Sequence, residues 1–554
     1  MSGFSTPAAD GVPPGGVGAG AGAGTAPGFG PALGHGPGPG SGGPYRAPQV
    51  PAPRPFAWLR PSDPDRKAPA TGRTVLAAVL TGLLASALLM DGLGVNLLLC
   101  AALATVGAGI AARAAGRRLR VWTAVWSALA LALLAVPALY EAGWPVVLST
   151  VWAVGLASLA LHGGRRWSGV LLALPGLLWQ LVPALGWARR SLRGGGNTRG
   201  RVAPVLKGVL VAAVLLAVFG TLFAGADAAM AEVLGSLVPS LDLGELPPRV
   251  ALFVLGLATA LGFAHIAAGP RRWDRTPVRP GRARGRLEWA LPLAALNLMF
   301  GAFAVVQAVV VLGGGESVLE RTGMSRSEYA RQGFWQLLVI TVLTLVVVAL
   351  AKRWAPRATG TDRRLARLLL GALCLLTLVV VASALGRMWF YVDASGLTAL
   401  RLWVLAVELW LGVVFVLLIA AGLTPSAGWL PRAVVLSAAL AAAGYGLIGP
   451  DALVAEHNVA RFERTGQIDL RNVRGLSPDA VPALDRLPGD YRTCALGVIA
   501  SDLAETGPAP WYAASLAGAR ARDILAERPP ADRLVGQEYA CDRVGLRYEF
   551  TFGG

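Results

Sequence analysis

"RLWVLAVELWLGVV", Arg401 to Val414, is an apolar run with a single acid in its middle. The apolar character continues to about residue 421, which reaches the ~20 residues that a helix needs to cross a bilayer. At that depth an ionisable side chain costs at least about 2.5 kcal/mol, so Glu408 marks either a functional position or a structurally satisfied buried acid. One stretch thus sets both the class of the protein and its first candidate site. Arg401 lies two helical turns from Glu408, about 10 Å along the axis, too far for a direct pair.

The rest of the chain reads the same way. It has 554 residues, a mean hydropathy of +0.56 and 15% charged residues. Soluble domains carry about 25% charged residues, so the deficit points to lipid. Apolar segments stand at about 74–90, 93–112, 121–139, 145–161, 168–187, 203–225, 249–268, 287–312, 334–351, 366–385, 400–421 and 432–449. The expected fold is all-α: a polytopic helical membrane protein with three parts. Residues 1–73 form a Gly/Pro/Ala-rich tail with too little apolar area to order itself. Residues 74–450 form the membrane domain, and residues 451–554 a small, mainly helical domain.

The formal net charge of +18 would suggest nucleic acid in a soluble protein. Here Arg clusters in short loops between apolar runs, as the positive-inside rule expects, and no nucleic-acid partner is implied. The expected location is the cell membrane, multi-pass, with a cytoplasmic N-terminus. Alternation fails once, at 188–201, which carries Arg189, Arg190, Arg193, Arg199 and Arg201 where an outer loop belongs. The segment before it, "SGVLLALPGLLWQLVPALGWA" (168–188), contains Pro175, Gln180 and Pro183. Proline removes a helix hydrogen bond, and a segment that dips in and returns, or lies at the interface, restores the alternation. The expectation is eleven crossings, one non-crossing segment and an extracytoplasmic C-terminal domain. Cys494 and Cys541 then face an oxidising compartment, where a disulfide is permitted but not fixed by spacing. Cys100 and Cys374 lie in apolar runs as packing residues.

An ordered set of motifs carries a family resemblance. These are "LFAGADAAMAEVL" (222–234), "LNLMFGAFAVVQAVVVLGGG" (296–315), "YARQGFWQL" (329–337), "RMWFYVDASGLTALRLWV" (387–404) and "NVARFERTGQIDLRNVRGLSPDAVPAL" (458–484). Together they resemble the bacterial integral-membrane family called domain of unknown function 4173, related to the 4153 group. Valines at 309–311 and "RNV" at 471–473, where a Tyr-Leu pair is usual, depart from its pattern. The resemblance implies a multi-pass membrane protein and transfers no catalytic residues.

Other candidates are weighed against structural roles. Asn297 and Gln307 share a helix, where amides ordinarily bond to neighbouring helices. Arg387 and Tyr391 are one turn apart at an outer boundary. Tyr329 and Arg331 lie on the preceding outer loop, where an aromatic anchor with a snorkelling Arg is the bland reading. If Arg331, Arg387 and Arg401 converge, they form an outer surface beside the C-terminal domain. Asp227, in an acidic outer loop, is weak ground for a metal, which needs several convergent oxygens. No catalytic motif, metal or cofactor is indicated. The expected partners are the lipid bilayer and other membrane or envelope proteins. Three functions stay open: a non-enzymatic scaffold, sensor or envelope-complex component; a transporter or channel using Glu408 and Arg401; and a membrane transferase acting on a lipid-linked substrate.

Overall fold

The computed structural model describes residues 68–118, 120–193, 245–270, 273–275, 285–312, 334–354, 359–530 and 535–545. All regular structure among them is helical: α1 (Gly72–Leu88), α2 (Val95–Ala114), α3 (Val121–Leu134), α4 (Val136–Leu139), α5 (Gly143–His162), α6 (Trp167–Arg193), α7 (Leu246–Ala268), α8 (Arg286–Leu312), α9 (Phe334–Trp354), α10 (Gly360–Ser395), α11 (Ala399–Leu423) and α12 (Leu430–Leu447). The C-terminal part holds α13 (Pro450–Thr465), α14 (Leu470–Val473), α15 (Val481–Leu484), α16 (Gly489–Thr506), α17 (Leu516–Glu527) and α18 (Val535–Arg543).

Ten of the described helical segments are long and apolar enough to cross a membrane, with α3 and α4 counted as one. Large apolar side chains such as Leu287, Leu291, Leu298, Val339 and Leu375 point outward, as on helices whose surroundings are lipid. The expected crossing at 203–225 lies outside the described residues. α1 is shorter, at 17 residues.

Three cores hold the bundle. One joins α1, α2, α6 and α7, a second joins α3, α5 and α12, and a third joins α8, α9, α10 and α11. α12 links the halves by packing on both α5 and α11.

α6 is one unbroken helix in spite of Pro175 and Pro183, and it lies across one end of the bundle. Near its start, the backbone N–H groups of Arg165 and Arg166 donate to Asp274, beyond α7. Its middle packs Gly176 against Trp273, where a Cβ would stand 2.6 Å from the indole nitrogen. Near its other end Trp187 donates to Ala68 O, ahead of α1, and its ring meets His265. Arg117, past α2, donates to Ala267 O, so all these contacts fall at the Arg-rich end. The helix buries one stripe, including Ala173, Leu177, Gln180, Ala184 and Trp187, and exposes Leu171, Leu178 and Val182. Length and composition alone suit this segment to crossing, but its contacts hold both ends at one level.

The expected loop at 386–399 is mostly helix. α10 runs for 36 residues, roughly 54 Å at 1.5 Å per residue, against a hydrocarbon core of about 30 Å. Its last turns therefore stand clear of the apolar layer and meet the C-terminal part. There Arg461 donates to Asp393 O and Ala394 O.

The C-terminal helices enclose their own core around Val459, Val473, Val481, Leu484, Leu496 and Ile499. A disulfide joins Cys494 on α16 to Cys541 on α18. Cys100 and Cys374 are buried and unbridged.

Candidate functional site

Glu408 is fully buried on α11. Its Oε1 lies 3.2 Å from the hydroxyl of Thr341 on α9, which also lies 2.9 Å from Leu337 O. One hydroxyl hydrogen cannot fully serve two acceptors, so the interhelical bond is a shared one. Glu408 Oε2 has no hydrogen-bond partner among the described residues. One turn on, Gly412 lets α11 approach α10, since a Cβ there would sit 3.3 Å from Val381.

Arg401 turns away from Glu408. Its Nη1 donates to Ser395 O at 3.3 Å and to Gly396 O, and its guanidinium lies 4.0 Å over the Tyr391 ring, a cation–π arrangement. Thr398 caps α11 by accepting from Arg401 N at 3.2 Å. Gly396 ends α10 at φ 81°, a backbone region that favours glycine. A Cβ there would also strike Asn458 Oδ1.

These residues form one wall of an open cavity of about 620 Å³. Trp335, Met388, Tyr391, Leu400, Arg401 and Val404 come from the bundle, and Arg471, Asn472, Gly475 and Leu476 from the C-terminal part. Arg401 and Arg471 give the groove positive charge, and no carboxylate is among its described lining residues. It is a concave, mostly apolar site with a few polar groups, as ligand sites usually are.

Both walls keep their register because the C-terminal part is fastened to three bundle loops. Asp479 accepts the N–H groups of Glu141 and Ala142 at 2.9 and 3.2 Å. Asn458 accepts from Leu397 N at 3.2 Å and donates to Leu397 O at 2.7 Å. Tyr512 donates its hydroxyl to Asp91 at 2.7 Å, and its carbonyl accepts from Asn96 N at 2.9 Å. Asn458 and Asp479 are buried. Burial pushes the Asp479 carboxyl up to about 6, while the two N–H groups pull it down.

Arg401 and Tyr391 are thus brought together, and Glu408 lies apart, lining neither this groove nor the cavity between α2, α3, α5 and α7. Arg387 is not among the residues lining the groove. Tyr329, Arg331 and Asp227 lie outside the described residues. Asn297 donates to Leu369 O on α10 at 3.1 Å and to Leu293 O on its own helix at 2.8 Å. Gln307 accepts from Ser383 on α10 at 3.0 Å. Arg471, Asn472, Asn458 and Asp479 were not singled out from sequence. The one signal available was "RNV", whose Arg and Asn replace the Tyr-Leu pair of the family pattern and supply polar groups of the groove.

Fold and site together define a multi-pass helical membrane protein whose C-terminal helices are fastened to one end of its bundle. The chain belongs to the family described as Domain of unknown function (DUF4153), whose model matches residues 127–487. The match starts within α3 and stops just before α16. It supports the 4153 group; the 4173 group is not shown. No curated protein matches the chain, and no solved structure does.

Proposed function

We propose that this protein is a non-enzymatic scaffold or sensor in a membrane assembly, in which the C-terminal domain and the bundle act as one body. The observation that supports this is the triple fastening through Asp479, Asn458 and Tyr512. A domain held at three loops passes a force or a ligand-induced shift to the helices instead of swinging freely. The groove is where a partner acts on both parts at once, because Arg401 and Arg471 belong to different parts. Two guanidinium groups beside an apolar wall suit a carboxylate or phosphate borne on an apolar group. On the positive-inside reading, this end faces away from the cytoplasm of the cell membrane. Kinship with the 4173 group is proposed on the motif resemblance.

Transport is the second reading, supported by the unpartnered Glu408 Oε2 inside a membrane helix. The two are separated by photo-crosslinking in living cells from Leu400 and Asn472 in the groove, with Leu298 on the lipid face as control. A discrete adduct from both groove positions, lost in Asp479→Ala, is expected. Groove positions that behave like the control would refute the scaffold or sensor reading.

A further inference from the structure

A second cavity, of about 450 Å³, lies between α2, α3, α5 and α7. It spans the bundle from Leu97 and Leu134 near the C-terminal domain to Arg117, Arg118 and Arg120 at the opposite end. The gap follows from the packing. α2 packs chiefly on α1 and α7, and α3 chiefly on α5. The side chains between them, Ala104, Ala108, Ala157 and Gly256 among them, are too small to close the space.

The wall is apolar even where it carries hydroxyls. Thr105, Thr123 and Thr150 donate to the carbonyls of Ala101, Ala160 and Val146, so these hydroxyls are satisfied without a ligand. The end of the cavity is different. Arg117 is tied to Ala267 O, but Arg118 and Arg120 are exposed. Among the described residues no carboxylate forms an ion pair with either. An apolar channel one bundle long, ending in two exposed cations with no described carboxylate partner, is complementary to an amphiphile with a long hydrocarbon tail and an anionic head.

We infer that this cavity holds an acyl chain of an anionic glycerophospholipid, with its phosphate headgroup at Arg118 and Arg120. Basic pockets between membrane helices bind anionic headgroups in this way. A zwitterionic lipid offers the same tail and weaker attraction, and an apolar peptide leaves the arginines unused. This site is separate from the groove and stands whether or not the groove binds a ligand.

The test uses the full chain, purified in detergent, stripped of lipid and titrated with dioleoyl phosphatidylglycerol or dioleoyl phosphatidylcholine under native mass spectrometry. Phosphatidylglycerol should be retained about 10-fold or more better than phosphatidylcholine. Arg118→Gln with Arg120→Gln should abolish that preference. Gly109→Leu should reduce retention of both lipids, because Gly109 lines the cavity and a Cβ there meets open space. Equal retention of the two lipids by the wild type, an unchanged preference in the arginine variant, or full retention in Gly109→Leu would each overturn the inference. If the double Gln variant fails to fold, Arg118→Lys with Arg120→Lys decides: the kept charge should keep the preference, and its loss refutes the site.

Discussion

The carboxylate of Asp479 receives the backbone N–H of Glu141 at 2.9 Å, across 338 residues of sequence. Its other oxygen receives Ala142 N at 3.2 Å, so one side chain satisfies two donors at the start of α5. Replacing Asp479 by Ala leaves both N–H groups without their acceptor, at about 1–3 kcal/mol each. Hydrogen exchange of C-terminal peptides should rise in Asp479→Ala while that of α8 and α10 stays unchanged. Exchange equal to wild type would mean that Asp479 does not hold the domain.

The same residue carries a pH dependence. Burial raises its carboxyl from the ordinary 3.8 to about 6. Between those values the folded form binds more protons than the unfolded form, so stability falls as pH rises. This contribution is fully present below about pH 4 and lost by about pH 6, with a magnitude of about 3 kcal/mol at 1.36 kcal/mol per unit. Thermal unfolding of the wild type should weaken across that window, and the slope should shrink in Asp479→Asn.

Glu408 and Thr341 form the buried polar contact between α11 and α9. Glu408→Gln keeps an acceptor oxygen and nearly the same shape, so it should change stability by less than about 1 kcal/mol. Glu408→Ala leaves a cavity and should cost about 2–5 kcal/mol, by analogy with other large-to-small core changes. Thermal melts in detergent distinguish them. A Gln variant as unstable as the Ala variant would show that the acid itself is required.

Single-cysteine labelling checks the placement of α6. With Cys100 and Cys374 replaced by Ala and the Cys494–Cys541 bridge kept, Arg165→Cys and Arg189→Cys are compared using a membrane-impermeant maleimide. Both sites should label from the same side. Labelling from opposite sides would mean that α6 crosses.

The bridge itself closes 47 residues of separation, so its removal should cost roughly 2–4 kcal/mol. Cys541→Ala should lower the unfolding temperature of the C-terminal domain under oxidising conditions. A reductant should lower the wild type to match.

Class, segment positions and the odd status of 168–188 were legible in the sequence, because apolar length and the spacing of Arg are local properties. Burial of Glu408 was legible for the same reason: its neighbours from Leu402 to Val414 are all apolar. The partner of Glu408 was not, since Thr341 lies 67 residues away on another helix. Nor was the groove. Arg401 and Arg471 meet there because α10 overshoots the apolar layer and the C-terminal domain is fastened to loops far apart in the chain. Sequence period determines which residues face lipid. Which loops share an end, and which side chains fill the space between them, is decided only when the helices pack.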